Sequence, residues 1–305
     1  MSETRSDIVT LKSGPARLGV APFLGGSLLG YWWEIDGARH DWLVASREAG
    51  IAGFPELRLA SFPLVPYSNR IRDGRFTFHG RTVSEPIAPG HPHALHGHGW
   101  RLPWQVAARS DDGLTMEYEH RPAPGAAGWL WPYRAWQRLA LTPQALALAM
   151  GIENRATETM PAGLGHHPYF PRTPECRVSA AIAGIWWPEA GQLPVERVVP
   201  PPEADPRQGV AVASVSLDHG YAGWDGSARI EWPERRAQLT MTADPALSTL
   251  VIYSPPNSAF FCVEPVSHCI DAFNLAAQGM SDTGMRVLAP GETWETTVRF
   301  APEMG

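Results

Sequence analysis

Apolar and polar residues alternate in short runs along this chain, and Gly, Pro and Asp punctuate the runs. Arg75-Phe76-Thr77-Phe78-His79 alternates before Gly80, and residues 114–120 do the same. A period of two places successive side chains on opposite faces of an extended strand. Residues 135–140 and 145–152 flank Leu141-Thr142-Pro143-Gln144, which reads as a hairpin turn. Further strand-like runs cover 237–242, 249–253, 259–264 and 294–300, and no long segment holds a helical period. Residues 200–206 carry three successive prolines and read as a loop, since proline cannot donate to a ladder. Many short strands with turn punctuation predict an all-β sandwich or barrel.

Composition narrows the picture. The chain has 305 residues, of which 44% are hydrophobic, enough for a large core. All-β folds of this length often form one domain. The net charge of -6 lacks the basic excess of nucleic-acid binders, so no nucleic-acid partner is expected. No apolar run approaches the roughly 20 residues of a membrane span, and Met1 to Asp7 lacks the order of a signal peptide. Cys176, Cys262 and Cys269 do not read as a disulfide framework. A cytoplasmic protein without a membrane partner is the expectation.

Candidate chemistry gathers in a few stretches. Gly165-His166-His167-Pro168-Tyr169-Phe170 offers an imidazole held extended by the following proline. Alternation lets one of the two aromatics share the face of His167 and turns His166 to the other face, where it reads as structural. A half-buried histidine satisfied by a carbonyl is the plainer reading of His167. Glu264 follows the apolar run Ala259-Phe260-Phe261-Cys262-Val263, where a carboxylate is costly without a role or a partner. A strand-end carboxylate paired with arginine is its plainer reading. Pro66-Tyr67-Ser68-Asn69-Arg70-Ile71-Arg72-Asp73-Gly74-Arg75 holds a tight turn. With Arg81, its arginines read either as an anion patch or, for Arg72, Arg75 and Arg81, as a solvated hairpin. Residues 90–100 hold His91, His93, His96 and His98. His-x-His pairs on one strand face invite a metal, as in a cupin-like barrel, but no carboxylate follows before Asp111.

Four of these stretches, in this order, resemble the aldose 1-epimerase (galactose mutarotase) family: 66–75, Leu95-His96-Gly97, 165–170 and Phe261-Cys262-Val263-Glu264-Pro265. The last continues through Asp271-Ala272 to Asn274, and Leu217-Asp218-His219-Gly220 matches a further family segment at Asp218. The resemblance runs from roughly residue 15 to 302. It implies a single domain over residues 1–305, folded as a large antiparallel β-sandwich of the galactose mutarotase type. It implies interconversion of the α and β anomers of a hexose, with a small sugar as the partner molecule and neither cofactor nor metal. Glu264 matches the general base and His167 the general acid, with His96 supporting charge on the ring or C1 oxygen. Asn69, Arg70 and Asp218 match sugar-binding positions. Tyr253 falls where relatives place an aromatic against the sugar, and sheet packing accounts for it equally. Asp271 and Asn274 are expected to fix their loop. His98 stands where many relatives have glycine. A sugar-phosphate epimerase and a non-catalytic sugar-binding module on the same fold remain open.

Overall fold

The computed structural model describes residues 7–45, 58–123, 125, 127–188 and 193–305. Met1 to Ser6, on which most of the signal-peptide reading rests, lie outside the described residues.

Two eight-stranded antiparallel sheets form the body. The back sheet is ordered 105–109, 113–120, 133–141, 146–154, 293–304, 237–243, 227–232 and 177–180. The site sheet is ordered 194–198, 184–188, 217–222, 249–254, 260–266, 165–166 and 63–64, with 169–171 also paired to 260–266. A four-stranded meander over 9–43 precedes them. One buried cluster draws on all three, including Leu11 and Leu18 from the meander, Leu139, Leu148 and Phe300 from the back sheet, and Tyr221, Ile252, Phe261 and Val263 from the site sheet. The expected all-β, antiparallel fold is therefore present, and no described helix is long and apolar enough to cross a membrane.

The alternation read from the sequence decides which side chains reach the site. In Leu114 to Tyr118, the even positions Leu114, Met116 and Tyr118 are buried in the core. Strand Phe260–Val266 is buried on both faces. Phe261 and Val263 enter the main core, while Phe260, Cys262 and Val266 join a second apolar cluster with Phe62 and Tyr169. Glu264 has the parity of this second face. It lies inside the strand rather than at its end, because the ladder continues through Pro265, opposite Leu250, to Val266. The predicted loop at 200–206 contains the short 3₁₀ turn Pro202–Ala204, and a second, Pro206–Gln208, follows. The α-helix Ala272–Ala277 is only six residues long.

Candidate active site

The second face of the site sheet floors a cavity of about 330 Å³. Directly paired residues of antiparallel strands share a face. Asp218 pairs with Tyr253, Tyr253 with Cys262, and Cys262 with Tyr169, so these four side chains form one row across four strands. All seven candidate residues, Asn69, Arg70, His96, His167, Asp218, Tyr253 and Glu264, line the cavity. His166 does not line it. Its ring is buried, its Nε2 meets no hydrogen-bond partner, and burial lowers its pKa to about 4.

His167 Nε2 lies 3.3 Å from Glu264 Oε1. The imidazole packs against both Phe62 and Tyr169, with ring centroids 4.5 and 4.8 Å away and planes within about 25°, and those two rings lie 6.3 Å from each other. Its backbone N–H donates to the Phe62 carbonyl at 3.0 Å, which fixes the ring's height over the sheet. Phe170 turns the other way and stacks on Phe261 in the core, as alternation requires. Burial pushes the Glu264 carboxyl well above its ordinary range; Asp218 adds to this and Arg70 opposes it. Burial lowers His167 to about 3. Both shifts favour an uncharged pair holding one proton between the carboxyl and the imidazole.

His96 is placed by a reciprocal clamp. Its backbone N–H donates to the Asn69 carbonyl at 2.9 Å, and the Asn69 N–H donates to His96 Nδ1 at 3.1 Å. Both residues have positive φ, and the adjoining strands Arg70–Ile71 and Ala94–Leu95 pair. With Nδ1 accepting, the neutral ring carries its proton on Nε2. Burial, reinforced by the His167 and Arg70 charges, holds its pKa well below the usual histidine value.

The Arg70 fork is engaged by neighbouring side chains. Its guanidinium pairs with Asp218 through two contacts of 3.3 and 2.7 Å, and a third N–H donates to Asn69 Oδ1 at 3.1 Å. Arg70 and Asp218 therefore act as one pre-oriented polar unit. Arg72 is likewise not a solvated hairpin residue. Its N–H donates to Asp271 Oδ1 at 2.9 Å, and its Nε is 3.4 Å from Asp271 Oδ2. Asn274 Nδ2 donates to Asp271 Oδ1 and to the Arg75 carbonyl. Arg81 pairs with Glu158 away from the cavity.

The histidine cluster does not share one strand face. Only Ala94–Leu95 is extended there, and the left-handed turn at His96 and Gly97 breaks the alternation. A Cβ on Gly97 would stand 2.6 Å from the Val65 carbonyl, so the close approach demands glycine. His91 and His93 line the cavity, and His93 Nδ1 accepts the Asp73 N–H at 3.1 Å. His98 turns away, with Nε2 2.9 Å from the Tyr133 hydroxyl and its ring 4.4 Å from that of His120. Phe62 and Trp100, which stack at 5.0 Å, complete the cavity wall. Neither carries a motif. Trp100 follows the histidine run directly, and that proximity is the only signal for it in the sequence.

The aldose 1-epimerase family profile matches residues 7–301, and the chain belongs to that family. The uncharacterized protein YphB of Escherichia coli K12 is 34% identical over 302 residues, which cover 94% of this chain and 95% of YphB. A crystal structure from Escherichia coli K12, whose assignment as an aldose 1-epimerase is provisional, is 31% identical with a TM-score of 0.86, covering 98% of this chain and 99% of that one. A galactose mutarotase-like protein from Clostridium acetobutylicum shares the fold at 20% identity, with a TM-score of 0.85 over 100% of this chain and 98% of that one.

Proposed function

We propose that the protein interconverts the anomers of a neutral aldose by general acid–base ring opening at His167 and Glu264. The observation that carries this reading is the 3.3 Å contact between a buried imidazole and a buried carboxyl on the wall of a sugar-sized cavity. Moving one proton across it converts carboxylic acid and imidazole into carboxylate and imidazolium. In the second form Glu264 takes the proton from the C1 hydroxyl while His167 protonates the ring oxygen. The ring opens, and the pair is left as carboxylic acid and neutral imidazole. Rotation about C1–C2 and closure on the other face reverse both transfers, so the proton count of the pair is restored without a cofactor. His96 donates its Nε2 proton to the oxygen on which charge develops. The Arg70–Asp218 unit, Asn69 and Tyr253 hold the ring.

A neutral sugar is favoured over a phosphorylated one. Arg70 is the one arginine or lysine among the described residues lining the cavity, and its fork is taken by Asp218. Asp218 already balances the Arg70 charge, while Arg72 and Arg81 are engaged elsewhere. Retention of the acid–base contact favours an enzyme over a binding module. The test is the decay of optical rotation of freshly dissolved α-glucose, α-galactose and related aldoses, with glucose 6-phosphate in the panel. Faster decay than the buffer blank for at least one neutral sugar is expected. Response by the phosphate alone would replace the neutral substrate, and silence across the panel would favour a binding module.

A further inference from the structure

Cys262 plays no part in the proton relay, yet it stands at the relay's base. It precedes Glu264 by two residues on one strand and so shares its face. In the row Asp218, Tyr253, Cys262, Tyr169 it sits between cavity-lining residues, on the face that carries His167 and Glu264. Cys262 is fully buried and in no disulfide. One ligand atom each from His167, Cys262 and Glu264 lies within 4.8 Å of the other two. Glu264 Oε2 and His167 Nδ1 have no hydrogen-bond partner.

A thiolate, an imidazole and a carboxylate form a donor set suited to Zn²⁺. Tetrahedral zinc with bonds of about 2.0–2.3 Å needs its ligand atoms roughly 3.5 Å apart. The His167–Glu264 contact already meets this, and Cys262 Sγ, within 4.8 Å of both, has to move toward them on binding. The fourth position would face the cavity and take water.

We propose that these three residues bind Zn²⁺ reversibly, and that the ion inhibits the enzyme by occupying the acid–base pair. Binding displaces the thiol proton and the proton shared by His167 and Glu264. The ion contributes nothing to turnover, and chelation leaves activity intact or raises it. The ion site rests on the geometry alone; its inhibitory effect rests on the function proposed above.

The test uses Co²⁺ as a spectroscopic stand-in and needs no turnover. Wild-type protein titrated with Co²⁺ should develop a thiolate-to-cobalt charge-transfer band that Zn²⁺ abolishes. Cys262→Ser should lose the band, and Cys176→Ser, as a control for a buried thiol elsewhere, should keep it. In the anomer assay, Zn²⁺ should inhibit wild type competitively with sugar. Cys262→Ser should require at least tenfold more Zn²⁺ and should turn over normally without it. No band in wild type, or a band that persists in folded Cys262→Ser, would overturn the site. A band in wild type without inhibition of an active enzyme would overturn the inhibitory role. Should no sugar turn over, the band still decides the site.

Discussion

At the residue scale His166 and His167, neighbours in sequence, have opposite surroundings. His167 touches Glu264 and the cavity, while His166 lies outside it. His167→Asn should lower kcat by about 10²–10⁴-fold, the range of one general acid or base. His166→Asn should cost kcat far less, although it disturbs a buried ring. Steady-state kinetics with melting temperatures check this; a larger kcat loss at His166 would reverse the assignment. The rate should also be bell-shaped in pH, because the pair must hold one proton. The acid limb marks uptake of a second proton. It should fall well below the ordinary histidine range, since burial holds His167 at about 3. The alkaline limb marks loss of the shared proton and should fall above the ordinary carboxylate range, since burial raises Glu264. Most of the site was legible because motifs name chemistry-bearing residues: His167, Glu264, His96, Asn69, Arg70, Asp218 and Tyr253 all reach one cavity. Phe62 was not legible. It arrives against His167 from a stretch without pattern, through a backbone bond to His167 that only the folded sheet creates. The Arg70–Asp218 pair leaves no sequence signal for the same reason, since it joins side chains 148 residues apart.

At the element scale, short strands that carry functional residues depend on clamps from elsewhere. The two-residue strand Arg70–Ile71 is held by the Asp271 N–H donating to the Arg70 carbonyl at 3.0 Å. The Asp271 carboxylate grips Arg72 on one side and Asn274 on the other. Asp271→Ala leaves these donors without their acceptor, at a cost of about 1–3 kcal/mol. It should lower the melting temperature and raise KM severalfold through Arg70, with a smaller effect on kcat. Asp271→Asn, which keeps one acceptor oxygen, should recover part of both. An unchanged KM in Asp271→Ala would show that the clamp does not position Arg70. Long strands such as Gly113–His120 and Tyr133–Leu141 were readable because one face enters the core and the period of two survives. The meander over 9–43 leaves a weaker pattern in the sequence. Its hairpin partner Ala16–Ala21 is buried at five of six positions, so its pattern does not alternate cleanly. The histidine run misled because a left-handed backbone at His96 and Gly97 cancels the alternation that a His-x-His argument assumes.

At the scale of the whole molecule, the fold stabilises buried ionisable groups in their neutral forms, and this gives stability a pH signature. Glu85 is buried, its Oε2 accepts the Tyr67 hydroxyl at 3.3 Å, and burial raises its pKa to about 7. A raised folded pKa means that the native state keeps a proton the unfolded chain has lost. The benefit of a neutral Glu85 is therefore complete below the unfolded value near 4.5 and is lost as pH rises toward about 7. Glu85→Gln cannot ionise. Its melting temperature relative to wild type should rise between pH 4 and pH 8, by an amount on the order of 3 kcal/mol of stability. A difference independent of pH would show that Glu85 is not held neutral. The same logic, applied to the cavity, makes the neutral His167–Glu264 pair the centre of the account. The most direct test is anomer exchange at equilibrium, followed by magnetisation transfer between the α and β anomeric protons of a responsive neutral aldose. Wild type should exchange them far faster than buffer. Glu264→Gln, folded and still binding sugar, should lose at least about 10²-fold, and adding His167→Asn should cost little more because the two groups act in one coupled step. Exchange near the wild-type rate in Glu264→Gln would contradict the account.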